Sequence, residues 1–108
     1  FRGYAKYNLE DYKGAIADYT KAIEIDPDNA NAYSFRGGAK FNLEDYKGAI
    51  ADYTKAIEID PNNPFVYRYR GWVKKYNLRD DKGACADWRK AADLGDEYSA
   101  QRVNIECN

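Results

Sequence analysis

A chain of 108 residues has room for one domain, or for a few small repeats that share a continuous core. Apolar residues make up 44% of it and aromatics 16%, with Tyr far ahead of Phe and Trp, which excludes wholesale disorder. Its 17 basic and 18 acidic residues leave a net charge of −1, removing the electrostatic drive for broad binding to DNA, RNA or an anionic membrane.

An internal period organises the predicted elements. Asn8 to Pro27 reads NLEDYKGAIADYTKAIEIDP, and Asn42 to Pro61 repeats it at every position, 34 residues later. The match extends back through Lys6/Lys40, Ala5/Ala39, Gly3/Gly37 and Arg2/Arg36. The first unit, residues 1–29, begins in mid-helix at Phe1. The second, residues 30–63, resolves into two helices. Asn29 caps one from Ala30 to Asn42, Asp45 caps another from Tyr46 to Ile59, and Asp60-Pro61 stops it. Tyr46, Ala49, Ile50, Tyr53, Ala56 and Ile57 recur at three- and four-residue steps, the apolar stripe of an amphipathic helix.

The third unit, residues 64–95, is a diverged copy: Tyr67-x2-Arg70-Gly71, then Gly83-Ala84-Cys85-Ala86-Asp87-Trp88, then Lys90-Ala91. Gly71 to Leu78 is one residue longer than Gly37 to Leu43, and Asp81 stands where Tyr46 would, so its turn should differ locally. Gly95 suits a helix C-cap, and Asp96 then caps a last helix from Glu97 to Glu106 within residues 96–108. Alternation at period two is nowhere sustained, which argues against strands. Gly37, Ala49 and Ala56 have little or no side chain and let helices approach closely.

Period, small residues and terminator together resemble the tetratricopeptide repeat, whose W-x2-LG-x2-Y…A-x3-F…P pattern appears as Tyr33-x2-Arg36-Gly37-x2-Lys40…Ala49-x3-Tyr53…Pro61. The Arg-Gly and Ala-Asp-Tyr variants resemble those of bacterial members. The resemblance implies an all-α fold: a right-handed α-solenoid of three antiparallel helix-pair repeats plus a C-terminal capping helix, in one domain.

Catalysis is not expected. The chain has no His, no Gly-rich phosphate loop and no metal signature, so no catalytic residue, metal or cofactor is assigned. Cys85 replaces the Ile of positions 16 and 50 on the buried stripe. The simplest reading of Cys85 and Cys107 is two reduced thiols, one of them in the core. A disulfide stays open, since a terminal helix folded back on the helix of Cys85 would bring Cys107 near it.

The informative excess is aromatic. On the first helix of the third unit a second stripe reads Phe65, Arg68, Tyr69, Trp72 and Tyr76 along one side, and Lys75 is assigned to the same groove. Its equivalents are Asn31, Ser34, Phe35, Gly38, Phe41 and Asn42 in the second unit, and Phe1, Tyr4, Tyr7 and Asn8 in the first. In the family, first helices line the concave side of the superhelix, so the resemblance implies that these residues form a peptide groove. Asn8 and Asn42 would pin a ligand backbone through their amides. Phe35 and Tyr69 read equally well as filling the seam between repeats.

Arg68 and Lys75 suggest an acidic or C-terminal carboxylate segment in the partner. Arg36 and Arg70 read instead as scaffold, paired with Asp52 and Asp87. The family's clamp for acidic chaperone C-termini uses Lys and Asn at groove positions. Phe35 stands where one such Asn is expected, so chaperone binding is not implied.

The expected partner is a protein or peptide, not nucleic acid and not a membrane. The alternative is a structural module that self-associates through its repeat ends. No apolar run approaches the roughly 20 residues needed to span a bilayer, and no secretory signal is visible. A start at Phe1 without Met reads as an excised or processed piece, and a cytoplasmic setting is favoured.

Overall fold

The computed structural model describes the backbone of residues 2–107 and the side chains of residues 11–107. Its regular elements there are six helices, grouped in two compact units, residues 1–59 and residues 60–108.

The first unit holds α1 (Arg2–Ile25), α2 (Ala30–Asn42) and α3 (Tyr46–Ile59). The last two have the bounds read from the sequence. Asn29 accepts from the Ala32 amide at 3.0 Å, and Asp45 accepts from Gly48 at 3.0 Å. Each cap satisfies an amide that the first helical turn leaves without a partner. Gly48 serves this cap: a Cβ there would run into the Asp45 carboxylate.

The α2–α3 turn places Glu44 at φ +66°, a left-handed conformation unusual for a side-chain-bearing residue. Packing between the two helices offsets that strain. Ala49, Tyr53 and Ala56 of α3 and Ala32, Gly37 and Ala39 of α2 are buried. Tyr46, Ile50 and Ile57, the rest of the α3 stripe, are half-buried. A Cβ on Gly37 would stand 2.9 Å from the Tyr53 ring, so only glycine permits this approach.

The first repeat departs from the expected helix pair. Asn8 to Pro27 has the same sequence as Asn42 to Pro61, yet α1 runs through Leu9-Glu10-Asp11 without a turn. Identical residues therefore do not impose the turn.

The second unit holds α4 (Pro64–Tyr76), α5 (Asp81–Asp93) and α6 (Glu97–Glu106). Asn63 caps α4, with Pro64 in its first turn, and Asp80 takes the capping role of Asp45. The extra residue changes the turn as expected. Arg79, at φ +56°, matches Glu44, and the Asp80 amide donates to the Lys74 carbonyl at 2.7 Å, one residue farther back than Asp45 reaches to Lys40.

Trp88 occupies the place of Tyr53. It is wholly buried, and a Cβ on Gly71 would meet its indole at 2.7 Å. Its Nε1 has no hydrogen-bond partner among the described residues.

The Arg–Asp pairs are present in both units. Arg36 donates from Nε and Nη2 to Asp52 at 2.8 Å each, with Lys40 at 3.1 Å from the same carboxylate. Arg70 does so to Asp87 at 2.8 and 2.7 Å, with Lys74 at 3.2 Å. Both aspartates are 4% exposed. The hydrogen bonds to Asp52 and Asp87 outweigh desolvation and raise the pKa of Arg36 and Arg70.

At the C-terminal side Gly95 adopts φ +103°, and Asp96 caps α6 through the Ser99 amide and hydroxyl. The reduced-thiol reading of the cysteines is corrected: Cys85 and Cys107 form a disulfide, with Cα atoms 5.8 Å apart. α6 lies along α5, which brings Cys107, the residue that follows it, beside Cys85, and Arg89 donates to the Cys107 carbonyl at 3.3 Å. Cys85 is half-buried, so this position lies at the margin of the stripe. Closing a loop of this length stabilises a fold by about 3 kcal/mol in the chain-entropy model. Replacing both cysteines by Ser should lower stability by that order, read from urea midpoints under oxidising conditions. No described helix is long and apolar enough to cross a membrane.

Candidate functional site

The first-helix faces differ between the units. Of the residues assigned to the groove, Tyr4, Tyr7 and Asn8 have side chains outside the described residues. On α2, Asn31 is exposed and Ser34 donates to its carbonyl at 3.2 Å. Asn42 spends a donor on its own helix, to the Gly38 carbonyl at 2.9 Å. Phe41 is half-buried against Tyr46, ring centroids 5.7 Å apart, and so packs where α2 meets α3. Gly38 has ordinary space above it, since a Cβ added there would lie 3.8 Å from the Tyr53 hydroxyl. Phe35 is 55% exposed and tilted against Tyr19 at 5.7 Å. This face carries two separated aromatics, Phe35 and the half-buried Phe41, among small and polar residues.

On α4 the same register carries an aromatic ladder. Phe65, Tyr69, Trp72 and Tyr76 are 49, 47, 39 and 44% exposed. Their spacing of four, three and four residues keeps them on one side of the helix. Trp72 and Tyr76 are in contact at 4.7 Å between centroids, tilted by 54°. The Arg68 guanidinium lies 5.1 Å from the Phe65 centroid and 5.8 Å from that of Tyr69.

The cations on this face are already engaged. Arg68 pairs with Asp96 in two hydrogen bonds, at 3.1 and 2.9 Å. Lys75 stands 3.1 Å from Asp81 and 3.3 Å from Glu106. Trp72 Nε1 donates to the Tyr98 hydroxyl at 2.7 Å, Tyr76 donates to Glu106 at 3.0 Å, and Arg102 reaches both Tyr76 and Glu106. The sequence suggests Arg68 and Lys75 as cations for a partner's acids; within this unit their counter-charges come from α5, α6 and the Asp96 cap.

Tyr98, Arg102 and Glu106 were not among the expected site residues. Their signal was present, since positions 98, 102 and 106 succeed one another at four-residue steps on α6. What the spacing omits is the neighbour that this stripe meets.

Hydrogen bonding from Tyr76 depresses the Glu106 pKa against some desolvation, helped by Lys75 and Arg102. Burial acts to raise that of Asp96, yet Ser99 and Arg68 together bring it below the ordinary value. A depressed carboxylate adds stability that is complete above its unfolded pKa, about 4 for these groups, and lost as pH falls through the folded value. Attachment of α6 should therefore weaken as pH drops below about 4. Thermal midpoints should fall there, and the Asp96→Asn, Glu106→Gln variant should show a flatter decline.

No group of three or more His, Cys, Asp or Glu fit for a metal occurs among the described residues. The arrangement offers apolar ring surface with polar edges, and is suited to binding.

Two family models match, a TPR repeat over residues 3–43 and a tetratricopeptide repeat over residues 30–63. The TPR domain of Arabidopsis OM64 is 31% identical over 95% of this chain and 86% of its own, with TM-score 0.79. The chain belongs to the tetratricopeptide repeat family. The second TPR domain of human RPAP3, solved with the HSP70 peptide SGPTIEEVD, is 25% identical over 99% of this tetratricopeptide chain and 90% of its own, with TM-score 0.81. The first TPR of Spaghetti (RPAP3), solved with an HSP90 peptide, has TM-score 0.82 at 22% identity, covering 98% and 85%, and shares the fold. No curated protein matches the chain. As a tetratricopeptide array the chain is an all-α repeat protein of a family of non-catalytic interaction scaffolds.

Proposed function

We propose that this chain is a protein-interaction module whose principal contact surface is the aromatic ladder of α4. The observation that carries the reading is the exposure of Phe65, Tyr69, Trp72 and Tyr76 on one face. Clustered aromatics left in solvent mark binding surfaces more often than they mark incomplete cores. The polar edges of Trp72 and Tyr76 are fixed by Tyr98 and Glu106, which orients the rings before a partner arrives. Family membership supports an interaction role, as does the RPAP3 domain, a relative of this fold solved in complex with an HSP70 peptide.

Asn31, Ser34, Gly38, Phe41 and Asn42 are proposed as a second peptide-contacting face, on the first unit, with Tyr4, Tyr7 and Asn8 as further contact residues of that unit. With Arg68 and Lys75 neutralised by Asp96, Asp81 and Glu106, the segment held against α4 is apolar or aromatic in its central residues. A disulfide in the closed state favours an oxidising setting over the cytoplasm expected from the sequence.

Peptides selected from a random display library against the whole chain provide the test. Trp72→Ala should weaken their binding by about 2 kcal/mol or more, some thirtyfold, as for an interface anchor. Undiminished affinity in a variant with unchanged helical circular dichroism would reject the aromatic ladder as the contact surface.

A further inference from the structure

Three donors from two helices converge on one carboxylate in the second unit. Lys75 and Tyr76 come from α4 and Arg102 from α6, and the group they hold is Glu106, whose side chain is only 20% exposed. Two cations and a phenolic hydroxyl around a single carboxylate form a receptor for that group, and charge-assisted bonds of this kind are among the stronger ones. Glu106 is also the residue before Cys107, so the disulfide to Cys85 fixes the turn that carries it. A surface recess of about 530 Å³ is lined in part by both cysteines, which places the bridge at the surface of this unit.

We propose that Lys75, Tyr76 and Arg102 form a carboxylate-binding site that the chain's own Glu106 fills while the Cys85–Cys107 bridge is closed, and that reduction of the bridge opens it to an acidic side chain of a partner. The proposal rests on the aromatic-ladder reading in placing this site beside Trp72, where a bound segment would pass. Reduction consumes a dithiol: its thiolate attacks one sulfur of the bridge, the resulting mixed disulfide is resolved by its second thiol, and Cys85 and Cys107 end as two thiols while the dithiol closes to a disulfide. Helix ends open more readily than helix centres, so once Cys107 is released the last turn of α6 frays and Glu106 competes less well. Lys75 then keeps only Asp81, whose side chain is 71% exposed and screened by solvent.

The test uses the full chain and two labelled probes, hexaglutamate and hexaglutamine, with binding read by fluorescence anisotropy at low salt. Glu106→Gln, with the bridge intact, should bind hexaglutamate about tenfold more tightly than the oxidised wild type, with hexaglutamine unchanged. Wild type treated with a dithiol should move in the same direction, and Lys75→Gln added to Glu106→Gln should cancel the gain. Circular dichroism checks that the helices persist. No gain in Glu106→Gln, or a gain that survives Lys75→Gln, overturns the site. A gain in Glu106→Gln with none on reduction, in a chain still folded, overturns the disulfide as its lock. Failure of the aromatic-ladder reading shows separately, as Trp72→Ala retaining its selected peptides.

Discussion

Replacing Asp87 by alanine should cost the chain about 3 kcal/mol or more of folding stability, because it leaves a buried charge cluster without its centre. Asp87 is 4% exposed and takes two hydrogen bonds from Arg70 and an ion pair from Lys74. Removing the acid leaves two cations next to each other with their side chains only 16 and 20% exposed. Neither pair nor desolvation cost can be judged singly, since the intact cluster gains little over a matched apolar core while the broken one loses heavily. Asp52→Ala should behave alike, because Arg36 and Lys40 surround Asp52 in the same way. Urea denaturation of each variant reads the effect, and a loss below about 1 kcal/mol, as for an exposed pair, would show that these clusters are open to water.

Trp88→Ala should cost a further class of energy, about 3–5 kcal/mol, through the cavity left where α4 and α5 meet. Trp88 is fully buried, its indole fills the space that Gly71 leaves, and Arg102 lies 5.7 Å from its ring. The informative control is Trp88→Phe. The Trp88 N–H has no partner among the described residues, so its removal sacrifices no hydrogen bond and relieves an unmet donor. Phe should therefore cost less than about 1.5 kcal/mol despite its smaller volume. Equal losses for Ala and Phe would mean that the indole nitrogen is satisfied in solution, most simply by water.

Helix placement was legible wherever a cap and a stop bracket the apolar period. Asn29, Asp45 and Asp96 name the starts of α2, α3 and α6, and Gly95 the break before the last. The Arg–Asp pairs were legible for another reason: a residue that recurs at each unit with its partner marks scaffold. The α1 segment shows the limit of local reading. Its sequence from Asn8 equals that of the α2–α3 turn together with α3, yet it is helical throughout, so the same residues do not by themselves fix a turn.

Long-range partners were the other gap. Periodicity put Arg68, Trp72, Lys75 and Tyr76 on one face of α4, but Asp96, Tyr98 and Glu106 lie more than a turn-and-helix away in sequence. Two faces can each be read from spacing, whereas their register against each other depends on how α5 and α6 pack. The cysteine pairing stood only as an open alternative for the same reason, since it needs α6 to lie back along α5.

The chain's two tryptophans make the central claim directly testable. In a nitrogen–proton correlation spectrum Trp72, 39% exposed, and Trp88, wholly buried, give separate indole signals assignable by Trp72→Phe and Trp88→Phe. Titration with a display-selected peptide should move the Trp72 indole signal in proportion to occupancy and leave that of Trp88 in place. Saturating binding that leaves the Trp72 signal unmoved would contradict the assignment of the α4 aromatic ladder as the partner surface.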